Sequence, residues 1–330
     1  LTDVVPEATR NKTFTIIWPC KGGRIGCFIN KPVPVETCRF PCQQIRDYEQ
    51  ADVAVFNVFR FRQNEAVPRF NRPRTQRWVM MTGESPVRWS QFDNLDYPAF
   101  KGQFNWTMTY RLDSDIPFIY GKLQRQASPV KDYDRIYRGK TVTAAWFVSH
   151  CFTQSRRDLF VRRMQRIVDV HVFGSCGNYT CGDPAGSKRD LDKSQCFPLL
   201  SKTYFFYLAL ENSFCKDYVT EKFFKLFGDV DVVPVVRGGA DYKKNFPGNT
   251  FIDASDFKSP EKLGAFLLEM AKDKKRYISM LKDKNRYGVL PEQKWFCDLC
   301  EKMHKDDRQK YYPDLRQWFL RDQCYAPKDV

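Results

Sequence analysis

Residues 204–236 read YFFYLALENSFCKDYVTEKFFKLFGDVDVVPVV, and this stretch decides the fold class. Its opening, YFFYLALE (204–211), is aromatic and aliphatic without a polar alternation, which marks a strand buried on both faces. A polar loop follows, then YVTEKFFKLF with a helical apolar pattern, then the β-branched run DVVPVV (231–236). Strand, helix and strand within about thirty residues form a βαβ unit, and such units build parallel sheets.

The alternation continues outward. FTIIW (14–18), ADVAVFNVF (51–59), RWVMM (77–81), TVTAAWFVS (141–149) and VDVHVFG (168–174) all read as buried strands. SRRDLFVRRMQRIV opens with Ser155 and carries Asp158 three residues on, a capping-box-like start, with Leu159, Phe160, Met164, Ile167 and Val168 as the predicted apolar stripe. Asp217 is the predicted N-cap of YVTEKFFKLF. Ser259-Pro260 opens a long amphipathic helix with Leu263, Phe266, Leu267 and Met270 inward. The segment LQRQASPVKDYDRIYRGK (123–140) is polar, carries a proline and lacks periodicity, so the division falls there. Residues 1–140 and 141–310 are read as two Rossmann-like domains facing a central cleft, and 311–330 as a tail returning to the first. The expected class is α/β.

With 42% hydrophobic and 15% aromatic residues in 330, the chain has material for buried cores. Twelve cysteines accompany three N-x-Ser/Thr sequons, at Asn11 (NKT), Asn105 (NWT) and Asn178 (NYT), a combination that favours an oxidising secretory compartment. CRFPC (Cys38, Cys42) and CDLC (Cys297, Cys300) have zinc-ligand spacing; two disulfides joining the N-terminal region to the C-terminal one is the preferred reading. Cys176, Cys181, Cys196 and Cys215 are further disulfide candidates. No stretch reaches the roughly 18–20 apolar residues of a membrane span, and LTDVVPEATRNK at the start lacks a signal peptide's apolar core. A chain trimmed of an anchor reads the same way.

The net charge of +15 calls for an anionic partner without choosing among nucleic acid, a membrane surface and a phosphorylated ligand. Nucleic acid is disfavoured because the aromatic residues sit in strand-like runs rather than along a basic stripe. Three histidines are too few and too scattered for a histidine-based site. The loop after YFFYLALE is richer: Asn212, Tyr218, Glu221 and Lys222 offer an amide, a phenol, a carboxylate suited to a ribose diol and a cation suited to phosphate, beside a helix N-terminus. On spacing alone, Glu221 and Lys222 read equally well as first-turn residues of a surface helix.

The string ENSFCKDYVTEKFF, followed by VPVV, NFPGNTFIDASDF and a long helix, resembles the donor-binding signature of the α-1,3/4-fucosyltransferases, glycosyltransferase family 10. That pattern is close to FENS-x(3)-DY-[IV]-TEK, with Leu210 here for the usual Phe. AWFVSHCFTQSRRDLF resembles the family's VSN-x(6)-R segment, with Arg157 as its arginine and His150 where Asn is common. MMTGESPVRWS carries the ESP motif, and FNWTMTYRLDSDIPFIYG resembles the TYR-x-DSDI block that includes Asn105. The similarity covers about residues 14–18 and 50–310.

This resemblance implies a GT-B type fold and an inverting transfer of L-fucose from GDP-fucose to the 3-hydroxyl of an N-acetylglucosamine. It implies Glu84 as general base and Arg157, Asn212, Tyr218, Glu221, Lys222 and Tyr120 around the donor. Arg111, Asp113 and Asp115 are read as structural or acceptor-side, the Asp113-Ser114-Asp115 triplet lying away from the donor signature. No cofactor is implied, with Mn2+ or Mg2+ at most stimulatory, and the partners are GDP-fucose and a glycan or glycoprotein. The implied location is the Golgi lumen, through an N-terminal anchor in a longer type II membrane protein. FGSCGNYTC (173–181), with Cys196 and Cys215, resembles the cysteine pattern of invertebrate members and implies the innermost N-acetylglucosamine of the N-glycan core over outer N-acetyllactosamine.

Overall fold

A computed structural model describes residues 12–18, 38–58, 72–87, 100–181, 193–290 and 295–330. The chain runs through β1 (Phe14–Ile17), β2 (Cys42–Gln44), β3 (Val53–Asn57), β4 (Arg77–Thr82), β5 (Trp106–Thr109), β6 (Leu123–Arg125), α1 (Tyr133–Gly139) and β7 (Val142–Phe147). Then come α2 (Arg157–Met164), β8 (Val170–Phe173), α3 (Lys193–Thr203), β9 (Tyr204–Leu210), α4 (Glu221–Phe224), β10 (Val233–Arg237), α5 (Tyr242–Asn245) and β11 (Ile252–Asp253). The last elements are α6 (Pro260–Lys272), α7 (Lys274–Asn285), β12 (Tyr287–Val289), α8 (Trp295–Lys305) and α9 (Leu315–Leu320).

Two compact units result: Leu1–Ile119 with Glu292–Gln323, and Tyr120–Pro291 with Cys324–Val330. Each holds a five-stranded parallel sheet, in the order β2-β1-β3-β4-β5 and β8-β7-β9-β10-β11. The order is the same doubly wound one in both. The α/β class with two Rossmann-like units is therefore present, and the topology repeats where the sequence shows no repeat.

The division falls at 119/120 rather than near 140. Residues 123–125 pair antiparallel with 287–289, and Tyr133, Ile136 and Tyr137 of α1 pack against the second unit's core, so this polar segment belongs there. Of residues 311–330, those through Gln323 lie with the first unit and Cys324–Val330 with the second.

In the second unit the strands are buried on both sides. Ala144, Trp146, Phe206, Leu208, Val233 and Val235 face Phe160, Leu263, Leu267 and Tyr277 of α2, α6 and α7. Ala145, Phe147, Tyr207, Ala209 and Val236 face Leu200, Phe223 and Tyr242 of α3, α4 and α5. Two covered faces explain why these strands read as continuous apolar runs.

The helix starts differ from expectation in two places. Ser155 does not cap α2, because its hydroxyl donates to the Glu211 carbonyl at 2.7 Å; Arg156 takes the N-cap place in the left-handed region, at φ 47°. The buried face is Phe160, Val161, Met164 and then Val168, while Leu159 and Ile167 are 37% and 43% exposed. Thr220, not Asp217, caps α4, and Asp217 sits at φ 61° in the turn before it. The long helix α6 is as expected, with Ser259 capping, Pro260 first, Leu263, Leu267 and Met270 buried and Phe266 partly so.

In the first unit α8 covers the sheet, bringing Phe296, Leu299 and Met303 against Phe14, Ile16, Val53, Val79 and Trp106. Cys38–Cys297 and Cys42–Cys300 fasten it, so both motifs with zinc spacing are disulfide-bonded. The other pairs among the described residues are Cys151–Cys176, Cys181–Cys196 and Cys215–Cys324, which add Cys151 and Cys324 to the expected set. Among the described residues no helix is long and apolar enough to cross a membrane.

Candidate active site

After β7 the chain winds outward to β8, then returns to place β9 on β7's other side. The β7/β9 boundary is thus the switch point of the second sheet, where diverging loops leave a crevice beyond the carboxyl ends of the strands. Arg157 follows β7, and the loop from Glu211 to Thr220 follows β9.

Arg157 is 3% exposed. Its Nη1 donates to the Leu210 carbonyl at 2.9 Å and its Nη2 to the His150 carbonyl at 3.0 Å, and its guanidinium lies 5.6 Å from the Trp146 ring centre. Because His150 contributes its backbone oxygen, this contact does not require the asparagine common at that position. The Arg157 Nε is buried without a hydrogen-bond partner among the described residues. Burial pushes the Arg157 pKa down, and Glu211 opposes that.

Lys222 lies at the start of α4 with its side chain 19% exposed. Its Nζ donates to Thr220 Oγ1 at 2.7 Å and lies 3.2 Å from Glu211 Oε2 and 3.3 Å from Glu221 Oε1. Burial works against its charge, but Glu211 and Glu221 outweigh it and raise the pKa above the usual lysine value. Glu221, with its side chain 61% exposed, is held low by Lys222 against the opposing effect of burial. Lys225, one turn on, donates to the Tyr207 hydroxyl at 2.7 Å; burial brings its pKa down to about 8. A four-residue α4 carries little dipole, so side-chain cations dominate any anion binding here. Three of them, Arg157, Lys222 and Lys225, come from the ends of two adjacent strands, a donor set suited to a diphosphate.

The loop after β9 is fixed from several sides. Asn212 accepts from the Ser213 hydroxyl at 3.0 Å, and Tyr218 is 1% exposed. A Cβ on Gly239 would meet the Cys215 nitrogen at 2.5 Å, so only glycine lets the chain after β10 pass this loop. Gln154 bridges the Phe214 N–H and the Tyr325 carbonyl, and Asp329 grips Arg237 with both oxygens at 2.7 and 2.6 Å. Tyr120 is partly buried against the α4 side of the core.

In the first unit Glu84 stands two residues beyond β4, half-buried, its N–H bonded to Thr82 Oγ1 at 3.1 Å. Among the described residues nothing hydrogen-bonds or ion-pairs with its carboxylate. Arg111 is occupied: it holds Asp113 bidentately, donates to the Trp318 carbonyl and stacks 4.0 Å from that ring's centre. Asp115 accepts from the Thr107 N–H at 3.0 Å, Tyr312 at 2.8 Å and Lys310 at 2.7 Å, so both its oxygens are engaged by neighbours in the first unit. Asp113 keeps its side chain 47% exposed. Asn105 is 1% exposed, its amide accepting from Arg72 and Trp78 and donating to the Lys310 carbonyl, whereas Asn178 is exposed. Asn11 lies outside the described residues. Among those residues the one His/Cys/acid group of metal-binding size is Cys42, Cys300 and His304, and its two sulfurs are joined.

Residues 137–318 match glycosyltransferase family 10 (fucosyltransferase), C-terminal, and residues 10–121 match fucosyltransferase, N-terminal. The chain belongs to glycosyltransferase family 10. It is 37% identical over 244 residues to α-(1,3)-fucosyltransferase C of Drosophila melanogaster, covering 67% of this chain and 55% of that protein. It is 32% identical over 314 residues to glycoprotein 3-α-L-fucosyltransferase A of the same organism, covering 92% and 58%. The chain thus spans a little over half the length of these relatives. A crystal structure of an α1,3-fucosyltransferase with GDP-fucose shares the fold, at TM-score 0.52 and 17% identity, over 82% of this chain and 83% of that one.

For this family 10 chain, the structure groups Arg157, Asn212, Tyr218, Glu221 and Lys222 around one switch point. Sequence reasoning missed Lys225, whose signal was its place three residues after Lys222 on the same helix side. It also missed Glu211, wholly buried and bonded to Thr220 and Lys222.

Proposed function

We propose that this chain is the catalytic portion of an inverting α-1,3-fucosyltransferase, with GDP-fucose as donor and the innermost N-acetylglucosamine of an N-glycan core as acceptor. The observation that carries it is the convergence of Arg157, Lys222 and Lys225 on the β7/β9 switch point of a family 10 chain. In the transfer, the acceptor 3-hydroxyl forms a bond to the fucose anomeric carbon as the bond to the β-phosphate oxygen breaks. The hydroxyl proton passes to Glu84, and GDP leaves with the bonding electrons. Its growing charge is met by fixed cations, which need no reorganisation at that moment. Glu221 serves the ribose or the cationic sugar ring, and Asn212, Tyr218 and Tyr120 complete the donor pocket. A Glu84 carboxylate with no partner among the described residues supports the base role. The name of the second Drosophila relative, a glycoprotein 3-α-L-fucosyltransferase, supports a glycoprotein glycan as acceptor. Five disulfides among the described residues support a secretory, Golgi-lumen setting.

The test is incubation with GDP-fucose and a panel of core N-glycans and N-acetyllactosamine glycans, read by mass spectrometry with linkage analysis. Fucose on O3 of the innermost residue is the expected product; outer-arm fucose would replace the acceptor assignment, and no transfer to any glycan would remove the activity. In the same assay Glu84→Gln lowers kcat by about 10² or more while GDP affinity holds. Near-normal turnover in that variant would exclude Glu84 as the base.

A further inference from the structure

Glu211 has no part in the scheme above, yet among the described residues it is the one carboxylate sealed beneath the crevice. It is 0% exposed, and an ionised carboxylate there is costly unless paired and hydrogen-bonded. Its Oε1 accepts from the Thr220 N–H at 2.8 Å, and the Thr220 hydroxyl lies 3.0 and 2.9 Å from its two oxygens. Lys222 Nζ closes the triangle, 2.7 Å from Thr220 Oγ1 and 3.2 Å from Glu211 Oε2. The stem is packed as well: a Cβ on Gly238 would meet Glu211 Cγ at 3.2 Å.

We propose that Glu211 is a positioning residue, which fixes the Lys222 ammonium at the end of β9 for the donor's diphosphate and ties the loop to α4 through Thr220. The proposal rests on the donor reading above. A lysine head on a four-carbon stem loses rotamer freedom when a ligand captures it, and tethering it beforehand removes that cost from binding. Glu211 also counters the burial that works against the Lys222 charge. The ionisable groups facing Lys222 are Glu211, Glu221, Arg157, Tyr207 and Lys225; with Glu221 largely in solvent, Glu211 is the counter-charge that water screens least.

Calorimetric titration with GDP tests this, between about pH 7 and pH 9. Wild-type affinity should fall modestly toward pH 9 as Lys225, at about 8, loses its proton. Glu211→Gln should weaken GDP roughly 10- to 100-fold and add a further loss toward pH 9, as the unshielded lysine gives up its proton. In a Lys222→Met background the same substitution should change affinity by less than about twofold, since its target is gone. An equal loss in both backgrounds would show a merely structural role and overturn the proposal, as would a Glu211→Gln affinity within about twofold of wild type. Should Glu211→Gln not fold, Glu211→Asp decides: it keeps the charge and withdraws the oxygens, so GDP should weaken with the same pH dependence as wild type, and unchanged affinity would refute the positioning role. Absence of GDP binding to the wild type would remove the donor reading and this inference together.

Discussion

The sheets β2-β1-β3-β4-β5 and β8-β7-β9-β10-β11 have the same winding, but the second is covered on both faces by helices from its own stretch of chain. The first takes α8 from beyond the second unit, after some 180 intervening residues, and holds it with two disulfides whose partners are 259 and 258 residues apart. One unit is thus assembled from local βαβ steps and the other through long-range closure, which loop entropy makes the harder contact to keep. The difference teaches that equal topology does not mean equal means of stabilisation.

The largest expected effect breaks that asymmetry. Cys38–Cys297 and Cys42–Cys300 close nearly the same loop, so once one is formed the other adds only a short one. Replacing either pair with alanines should cost about 2–3 kcal/mol, and replacing both roughly 8 kcal/mol, as the long loop then opens. Cys181–Cys196, 15 residues apart in the second unit, should cost about 3 kcal/mol. Urea denaturation of the three variants and the quadruple one measures this. A quadruple variant that loses only the sum of the two pairs would show that α8 stays docked without covalent help.

What was legible in the sequence divides along the same line. Strands β1, β3, β4 and β7 to β10 announce themselves as apolar runs because neighbours cover them. Strand β2, reading CQQ, and β6, reading LQR, carry no such signal, since they are strands through pairing with β1 and β12. The choice between Asp217 and Thr220 as cap was not decidable locally, because both residue types cap well and Glu211 in the strand end decides. Arg157, Asn212, Tyr218, Glu221 and Lys222 were found through a family pattern, whereas Glu211 and Lys225 acquire meaning only when the strand ends are seen side by side.

A second asymmetry lies in buried lysines, which among the described residues belong to the second unit. At the opposite end of β10, Lys140 and Lys284 are 6% and 0% exposed; Lys140 donates to the Ser201 and Asp231 carbonyls, Lys284 to that of Val230, and Lys131 pairs with Asp231. Burial brings both Lys140 and Lys284 down to about 7, against the pull of Asp231. Between about pH 7 and the unfolded lysine value near 10.4, the unfolded chain therefore binds more protons, and stability rises with pH. Lys225, at about 8, adds to the rise. Above about pH 10 the trend reverses, since Tyr207, Tyr242 and Tyr277, pushed up by burial, keep protons that the unfolded chain loses. The expected gain from about pH 7 to pH 9 is on the order of 6 kcal/mol by urea denaturation, and Lys284→Met should flatten it substantially. A stability that peaks near neutral pH would mean these lysines stay charged in the folded state.

The smallest effect compares one sequon from each unit. Asn178 is exposed in the second unit, while Asn105 in the first is a hub: its Oδ1 accepts from Arg72 Nη2 at 2.6 Å and the Trp78 N–H at 2.8 Å, and its Nδ2 donates to the Lys310 carbonyl at 2.9 Å. Asn105→Ala leaves a buried backbone N–H without its acceptor and should cost about 2 kcal/mol, whereas Asn178→Ala should fall within about 0.5 kcal/mol of wild type. Loss of a glycan could mimic the first result, so both variants belong in a host that does not glycosylate asparagine. If Asn105→Ala is as stable as wild type there, the hydrogen bonds to Arg72, Trp78 and Lys310 do not hold β4 to β5, and the cost of losing Asn105 lies in the sugar.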